Sequence, residues 1–239
     1  ALYPWFVQMA MQGYSFFGTP EELFLEIRKT GLEAEKAMYT ATNGVNTHKG
    51  LIFTLGIFCA AAGRCSREYQ RRVTLQKLID MEQQMTSRIL GLELLEIMER
   101  SSKSGTIPTN GERNLLEDGA SGIRGEAIQG YPSVIKLALP VLCQGMAEKR
   151  NRNKVKLQTL FTLMSSIQDS NILSRGNPEV LKQVQKEAND FLKKGGAYSE
   201  NALQELMKMD EEYIRRNISA GGCADLLATA IFLEMFLKG

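Results

Sequence analysis

Apolar residues recur along this chain every three to four positions, and no stretch alternates with a period of two, so the pattern predicts helix throughout. Leu23, Ile27, Ala34 and Met38 mark one helical face. Just ahead of them, Thr19-Pro20-Glu21-Glu22 predicts a helix start. Thr19 caps, Pro20 takes a first-turn position that needs no N–H, and Glu22 closes a capping box. Further helices are expected over about 48–63, 73–100, 133–147, 153–167, 178–194, 200–215 and 222–238. Asn177-Pro178 and Ser199 supply two of the starts. Trp5, Phe6 and Met9 of the first segment are expected in the core.

Two segments are apolar nearly all round: Leu51–Ala62 and Leu226–Leu237. A helix exposed on one side would not be, so both are expected at the centre of a bundle. A polar or Gly-rich stretch precedes each, Gly44–Gly50 in one case and Ser219–Gly222 in the other. The fold class that follows is all-α, a single multi-helix bundle over 1–239 with two central buried helices and a Gly-rich active-site loop. The length of 239 residues corresponds to about 1.6 average domains, with roughly 72% of the surface buried on folding.

Charge changes the picture by exclusion. Lys and Arg number 29 against 27 Asp and Glu, a net charge of +2, which demotes a general nucleic-acid binder. Cys59, Cys65, Cys143 and Cys223 form no CxxC pair and read as reduced, mostly buried thiols of a cytoplasmic protein. The longest uncharged apolar run has 12 residues, too few to span a bilayer, and no signal peptide is visible. The basic run Lys149–Lys154 reads as a solvated connection between helices.

Candidate chemistry gathers at the entrances of the apolar helices. Asn46 or Thr47 can cap the first, leaving its N–H groups pointing outward, and Lys49 adds a charge that the helix dipole disfavours unless an anion sits there. His48 is the only histidine. The plain alternative is an ordinary cap with a solvated lysine. Six glycines fall between Gly105 and Gly130, where Arg124 can grip a phosphate and Glu126 can act as a base or a metal ligand. A surface connector with an Arg–Glu pair is the plain alternative there. No strand precedes the glycines, which excludes a Rossmann turn. Asp169 and Asp225 can together hold Mg²⁺, which takes one or two carboxylates plus phosphate oxygens. Helix-end roles are their plain reading.

Five segments in order resemble the triphosphoribosyl-dephospho-CoA synthases: Gly44-Val45-Asn46-Thr47-His48-Lys49-Gly50; Thr109-Asn110-Gly111-Glu112-Arg113; Gly122-Ile123-Arg124-Gly125-Glu126-Ala127 with Gly130-Tyr131-Pro132; Asp169-Ser170-Asn171-Ile172-Leu173 with Arg175-Gly176; and Gly221-Gly222-Cys223-Ala224-Asp225-Leu226-Leu227. Ser170 stands where the family usually has Thr, Ala220 where it often has Pro, and Cys223 where Ser is common. The family's upstream Thr-Pro-Lys-Pro-Gly block has no counterpart before Ala1.

The resemblance implies transfer of the triphosphoribosyl group of ATP to the 2′-hydroxyl of 3′-dephospho-CoA, with release of adenine. The product is the prosthetic-group precursor of the citrate lyase acyl carrier protein, and close relatives serve malonate decarboxylase. The residues then take expected roles: Lys49, Arg124 and Arg175 on phosphates, joined by Asn46, Thr47, Asn171, Gly221 and Gly222; Asp169 and Asp225 on Mg²⁺; Glu126 or His48 in proton transfer. No nucleic acid and no membrane are expected as partners; contact with the carrier-protein phosphoribosyl transferase and a homo-oligomer are compatible with the resemblance. Two other readings compete. An all-helical ribosyl hydrolase would release adenine without dephospho-CoA, and a non-catalytic nucleotide-binding regulator would release none.

Overall fold

The computed structural model describes residues 1–101, 113, 116, 119 and 121–238, and all regular structure among them is helical. Contacts divide the chain into two compact units, where the sequence suggests one domain. Unit 1 comprises Ala1–Gly105, Ile123–Tyr131 and Met235–Gly239, and unit 2 comprises Thr106–Gly122 and Pro132–Glu234. No helix among the described residues is long and apolar enough to cross a membrane.

Unit 1 is built from α1 (Tyr3–Ser15), α2 (Pro20–Ala41), α3 (Lys49–Tyr69), α4 (Leu75–Ser101) and α5 (Gly122–Ile128), the first residue of α5 being counted with unit 2. The predicted capping box is formed: Thr19 Oγ1 accepts the Glu22 N–H, and the Glu22 carboxylate accepts the Thr19 N–H. The apolar segment expected at a bundle centre lies in α3, which packs against α1, α2 and α4 and buries Ile52, Ile57, Phe58 and Ala60–Ala62. Small residues let α1 and α3 approach closely. A Cβ on Gly13 would lie 2.0 Å from the Ala60 carbonyl oxygen, and one on Gly63 2.0 Å from that of Ala10.

The first segment corrects one expectation. It is helical, in keeping with the pattern but outside the ranges given for individual helices. Of its three expected core residues Met9 is fully buried, Trp5 packs half-buried against Ala34, Met38 and Ile52, and Phe6 is half-buried. Exposed Tyr3, Val7, Met11 and Tyr14 share the same short element and blur its amphipathic signal.

Unit 2 holds α6 (Leu139–Ala147), α7 (Arg152–Met164), α8 (Ser170–Arg175), α9 (Pro178–Lys193), α10 (Ala202–Arg215) and most of α11 (Gly221–Phe236). A π-helical turn, Ser133–Ala138, precedes α6, and the Leu139 N–H bonds to the Val134 carbonyl. Pro140 follows directly; it lacks an N–H and crowds the carbonyl four residues back, so a widened turn relieves the clash. Asn177 caps α9 through the Val180 N–H as its sequence predicts, whereas α10 starts at Asn201–Ala202, past Ser199. The Phe161 and Phe191 rings, 4.4 Å apart, join α7 to α9. The basic run lies exposed at the α6–α7 connection, with Arg150 stacked on Tyr198. Helix α11, the second all-round apolar segment, buries Cys223, Leu226, Thr229, Ala230, Leu233 and Glu234.

Candidate active site

In unit 1 the chain leaves α2 through Asn43 and Gly44, both with positive φ, and enters α3 through exposed Asn46–Lys49. Asn46 Oδ1 accepts the Lys49 N–H at 3.1 Å, so the expected side-chain cap is present, with His48 occupying the cap position itself. The His48 N–H points at Met38 Sδ, and its ring Nδ1 lies 2.8 Å from Thr47 Oγ1. The anion that Lys49 calls for in sequence is partly supplied from within: its ammonium lies 3.1 Å from Glu35 Oε2 on α2. With the lysine exposed to solvent, such a pair contributes about 0–1 kcal/mol, little enough for a phosphate to displace.

Helix α5 carries Arg124 and Glu126. Arg124 lies 4.0 Å from Glu93 on α4, a carboxylate that Arg28 on α2 also engages. The Arg–Glu pairing of the plain alternative therefore exists, but with Glu93. Much of the glycine-rich stretch, including Gly105 and the Thr109–Glu112 segment, lies outside the described residues. The stretch was expected as a loop, yet its described part from Gly122 is this short helix.

The end of α5 is firmly made. The Gly130 N–H bonds to the Ala127 carbonyl and the Tyr131 N–H to that of Glu126 at 2.7 Å, a Schellman closure. Gln83 and Ser87 on α4 donate to the Ile128 carbonyl at 3.3 and 3.1 Å. Gly130 (φ +72°) suits its left-handed place; Tyr131 (φ +56°) does not, and a bulky residue there costs about 1–3 kcal/mol. What it gains is complete burial, with its ring 4.9 Å from Phe58.

Around the Tyr131 phenol lies a cluster that sequence reasoning missed. Glu82 and Thr86 on α4 and Thr54 on α3 are fully buried. Glu82 Oε1 accepts the Thr86 hydroxyl at 2.9 Å, while Oε2, the Thr54 hydroxyl and the Tyr131 hydroxyl have no partner. Burial pushes the Glu82 carboxyl well above its ordinary value, only partly offset by Thr86. Burial likewise raises the Tyr131 phenol, reinforced by the charge of Glu82. A signal existed: Glu82 interrupts an apolar row of Leu78, Ile79, Met81 and Met85.

In unit 2 the second candidate group centres on Asp169. Its Oδ1 accepts the Asn171 and Ile172 N–H groups, capping α8, and its Oδ2 accepts the Cys223 N–H at 2.8 Å, capping α11. One buried carboxylate thus ties two helix N-termini together. Gly221 and Gly222 permit the approach. A Cβ on Gly222 would stand 3.1 Å from Asp169 Oδ2, and one on Gly221 2.5 Å from the Asn171 amide nitrogen. Asp225 follows on α11, and it and Asp169 both raise the buried Cys223 thiol, whose main cause of elevation is burial. Cys223 meets Asp169 through its backbone N–H, and its thiol hydrogen-bonds the same carboxylate. Arg175 is exposed in the last turn of α8. Cys59 and Cys65 are buried, with thiols pushed up to about 12 chiefly by burial, as expected of structural thiols; Cys143 is exposed.

No group of three or more His, Cys, Asp or Glu that could hold a metal ion occurs among the described residues. Mg²⁺ needs only one or two carboxylates beside phosphates and water. Asp169 is buried and spends its acceptor positions on three N–H groups and the Cys223 thiol.

Comparison with known proteins gives a consistent set of relatives. A family model described as ATP:dephospho-CoA triphosphoribosyl transferase matches residues 1–239. The chain is 37% identical over 237 residues to a 2-(5''-triphosphoribosyl)-3'-dephosphocoenzyme-A synthase of Klebsiella pneumoniae, covering 99% of this chain and 76% of that protein. A synthase of the same name from Pectobacterium atrosepticum is 40% identical over 229 residues, with 95% and 72% covered. Protein CitXG of Leuconostoc mesenteroides is 38% identical, and the chain spans about half of it, 49%. A crystal structure described as a triphosphoribosyl-dephospho-CoA synthase from Archaeoglobus fulgidus shares the fold, with a TM-score of 0.54, 17% identity, and 99% and 95% of the two chains covered.

Proposed function

The chain belongs to the ATP:dephospho-CoA triphosphoribosyl transferase family, and from that premise we propose that it joins the triphosphoribosyl group of ATP to the 2′-hydroxyl of 3′-dephospho-CoA and releases adenine. The whole-chain family match carries this reading. In the reaction the bond from ribose C1 to adenine breaks and a bond from C1 to the 2′-oxygen forms. The hydroxyl proton leaves to a base, and adenine departs with the bonding pair and gains a proton. Positive charge builds on the ribose, as in glycoside chemistry.

The chain's residues divide between these tasks. Glu126, half-buried on α5, accepts the hydroxyl proton, with His48 as the other candidate. Lys49 and Arg124 give up half-buried carboxylate partners for phosphate, exchanging surface ion pairs of about 0–1 kcal/mol for charge-assisted contacts of about 1.5–3 kcal/mol. Arg175, Asn46, Thr47, Asn171, Gly221 and Gly222 supply further donors. Mg²⁺, when bound with ATP, would offset the triphosphate charge, with Asp169 and Asp225 as the carboxylates that would hold it, directly or through water. The product would be the prosthetic-group precursor of the citrate lyase acyl carrier protein, in a cytoplasmic setting. Contact with the carrier-protein phosphoribosyl transferase and a homo-oligomer belong to the same proposal.

Adenine release measured by chromatography tests it. Release should require dephospho-CoA, and Glu126→Gln should lower turnover about 100-fold with little change in ATP binding. Equal release without dephospho-CoA would make the protein a hydrolase, and none under any condition a regulator. Unchanged turnover in Glu126→Gln would pass the proton-transfer role to His48.

A further inference from the structure

Thr54 Oγ1, Glu82 Oε2 and Tyr131 Oη are sealed from solvent without a hydrogen-bond partner, and they come from α3, α4 and the turn after α5. They are neighbours, because the Glu82 carboxyl and the Thr54 hydroxyl both act on the Tyr131 phenol. Buried polar groups in native proteins are almost always satisfied, and an unpaired one is costly. Among the described residues no cation offsets Glu82: burial and the Thr86 hydroxyl are what act on its carboxyl. The other charged group acting on the phenol is Glu126, a second acid.

We propose that Glu82 is an uncharged acid whose carboxyl, the Tyr131 phenol and the Thr54 hydroxyl close into one hydrogen-bonded chain, and that Glu82 and Tyr131 are thereby positioning residues for Glu126. Glu82 is fully buried with no charge of opposite sign against it among the described residues, which favours the uncharged form. The Glu82, Tyr131 and Thr54 oxygens can then share their protons along one chain. The uncharged form also spares the core a second negative charge beside the phenol. Burial acting on Glu82 favours this protonated form. The mechanical link to Glu126 is one residue long, because the Tyr131 N–H bonds directly to the Glu126 carbonyl. Gln83 and Ser87, each following Glu82 or Thr86 along α4, both brace the Ile128 carbonyl at the end of α5. This also gives the left-handed backbone of Tyr131 a purpose: it carries the phenol into the cluster while its N–H closes α5.

The uncharged cluster stands independently of the reaction; only the positioning role rests on Glu126 as the proton-transfer group. Infrared spectroscopy near neutral pH should show a protonated-carboxyl band in the wild type that disappears in Glu82→Gln. Glu82→Gln keeps an uncharged donor and acceptor, so its kcat should stay within about twofold. Tyr131→Phe keeps the ring against Phe58 but breaks the chain, and should lower kcat about 10- to 100-fold while KM for ATP changes less than about twofold. Glu82→Ala should follow Tyr131→Phe, which carries the kinetic test if the alanine variant does not fold. Absence of the band overturns the uncharged cluster, and an unchanged kcat in Tyr131→Phe overturns the positioning role. An unchanged turnover in Glu126→Gln would remove the proton-transfer reading and leave the band to decide the cluster.

Discussion

Asp169 and Glu82 are both acids buried in helical surroundings, one in each compact unit, and they are kept there by opposite means. Three backbone N–H groups from two helix starts surround Asp169, supplying what an ionised carboxylate accepts. Glu82 has one hydroxyl on one oxygen and nothing on the other. Burial alone therefore does not say what a carboxyl group does. The donors around it do: the first is a charged fastener between α8 and α11, and the second is a neutral acid within the unit 1 core.

The largest effect should come from the fastener. Asp169→Ala leaves three N–H groups at two helix starts without their acceptor, and should cost about 3 kcal/mol or more in urea unfolding. A loss below about 1 kcal/mol would break the comparison at its first member.

Glu82 should reveal itself through pH. Its native proton affinity is raised above the ordinary carboxyl value of 4.5, so between that value and the native one the folded chain holds a proton that the unfolded chain has released. The stability this contributes is full below about 4.5 and is lost as pH rises toward the native value, at up to about 1.4 kcal/mol per pH unit. Glu82→Gln has no proton to lose, so unfolding measured against pH should favour the variant increasingly as pH rises above 4.5. A constant difference would mean that Glu82 is charged in the fold.

The smallest effects on stability belong to exposed cations. Lys49→Ala and Arg175→Ala should shift unfolding by less than about 1 kcal/mol, yet weaken ATP binding roughly 10- to 150-fold by calorimetry. Unchanged ATP affinity in both would remove them from the site.

What could be read in the sequence followed from interactions close along the chain. The Thr19–Glu22 box and the Asn177 cap span three residues each and form as their residue types require. The 13-residue α1 was missed because its exposed aromatic and apolar residues hide which face is buried. The seven residues of α5 and six of α8 are too few for a helical period to emerge. Asp169 was found as a candidate, but its bond to Cys223 crosses 54 positions and no local pattern encodes it. The Lys49–Glu35 pair was hidden for the same reason: its members sit on different helices. Glu82 was visible only as an acid in an apolar row, and its meaning depends on Thr54 and Tyr131, which folding alone brings to it.

The most direct test of the proposed function is the mass of the product formed from ATP and 3′-dephospho-CoA with Mg²⁺. Transfer predicts one species equal to the sum of both substrates minus adenine, formed in step with free adenine. Unmodified dephospho-CoA beside free adenine and ribose triphosphate would contradict it.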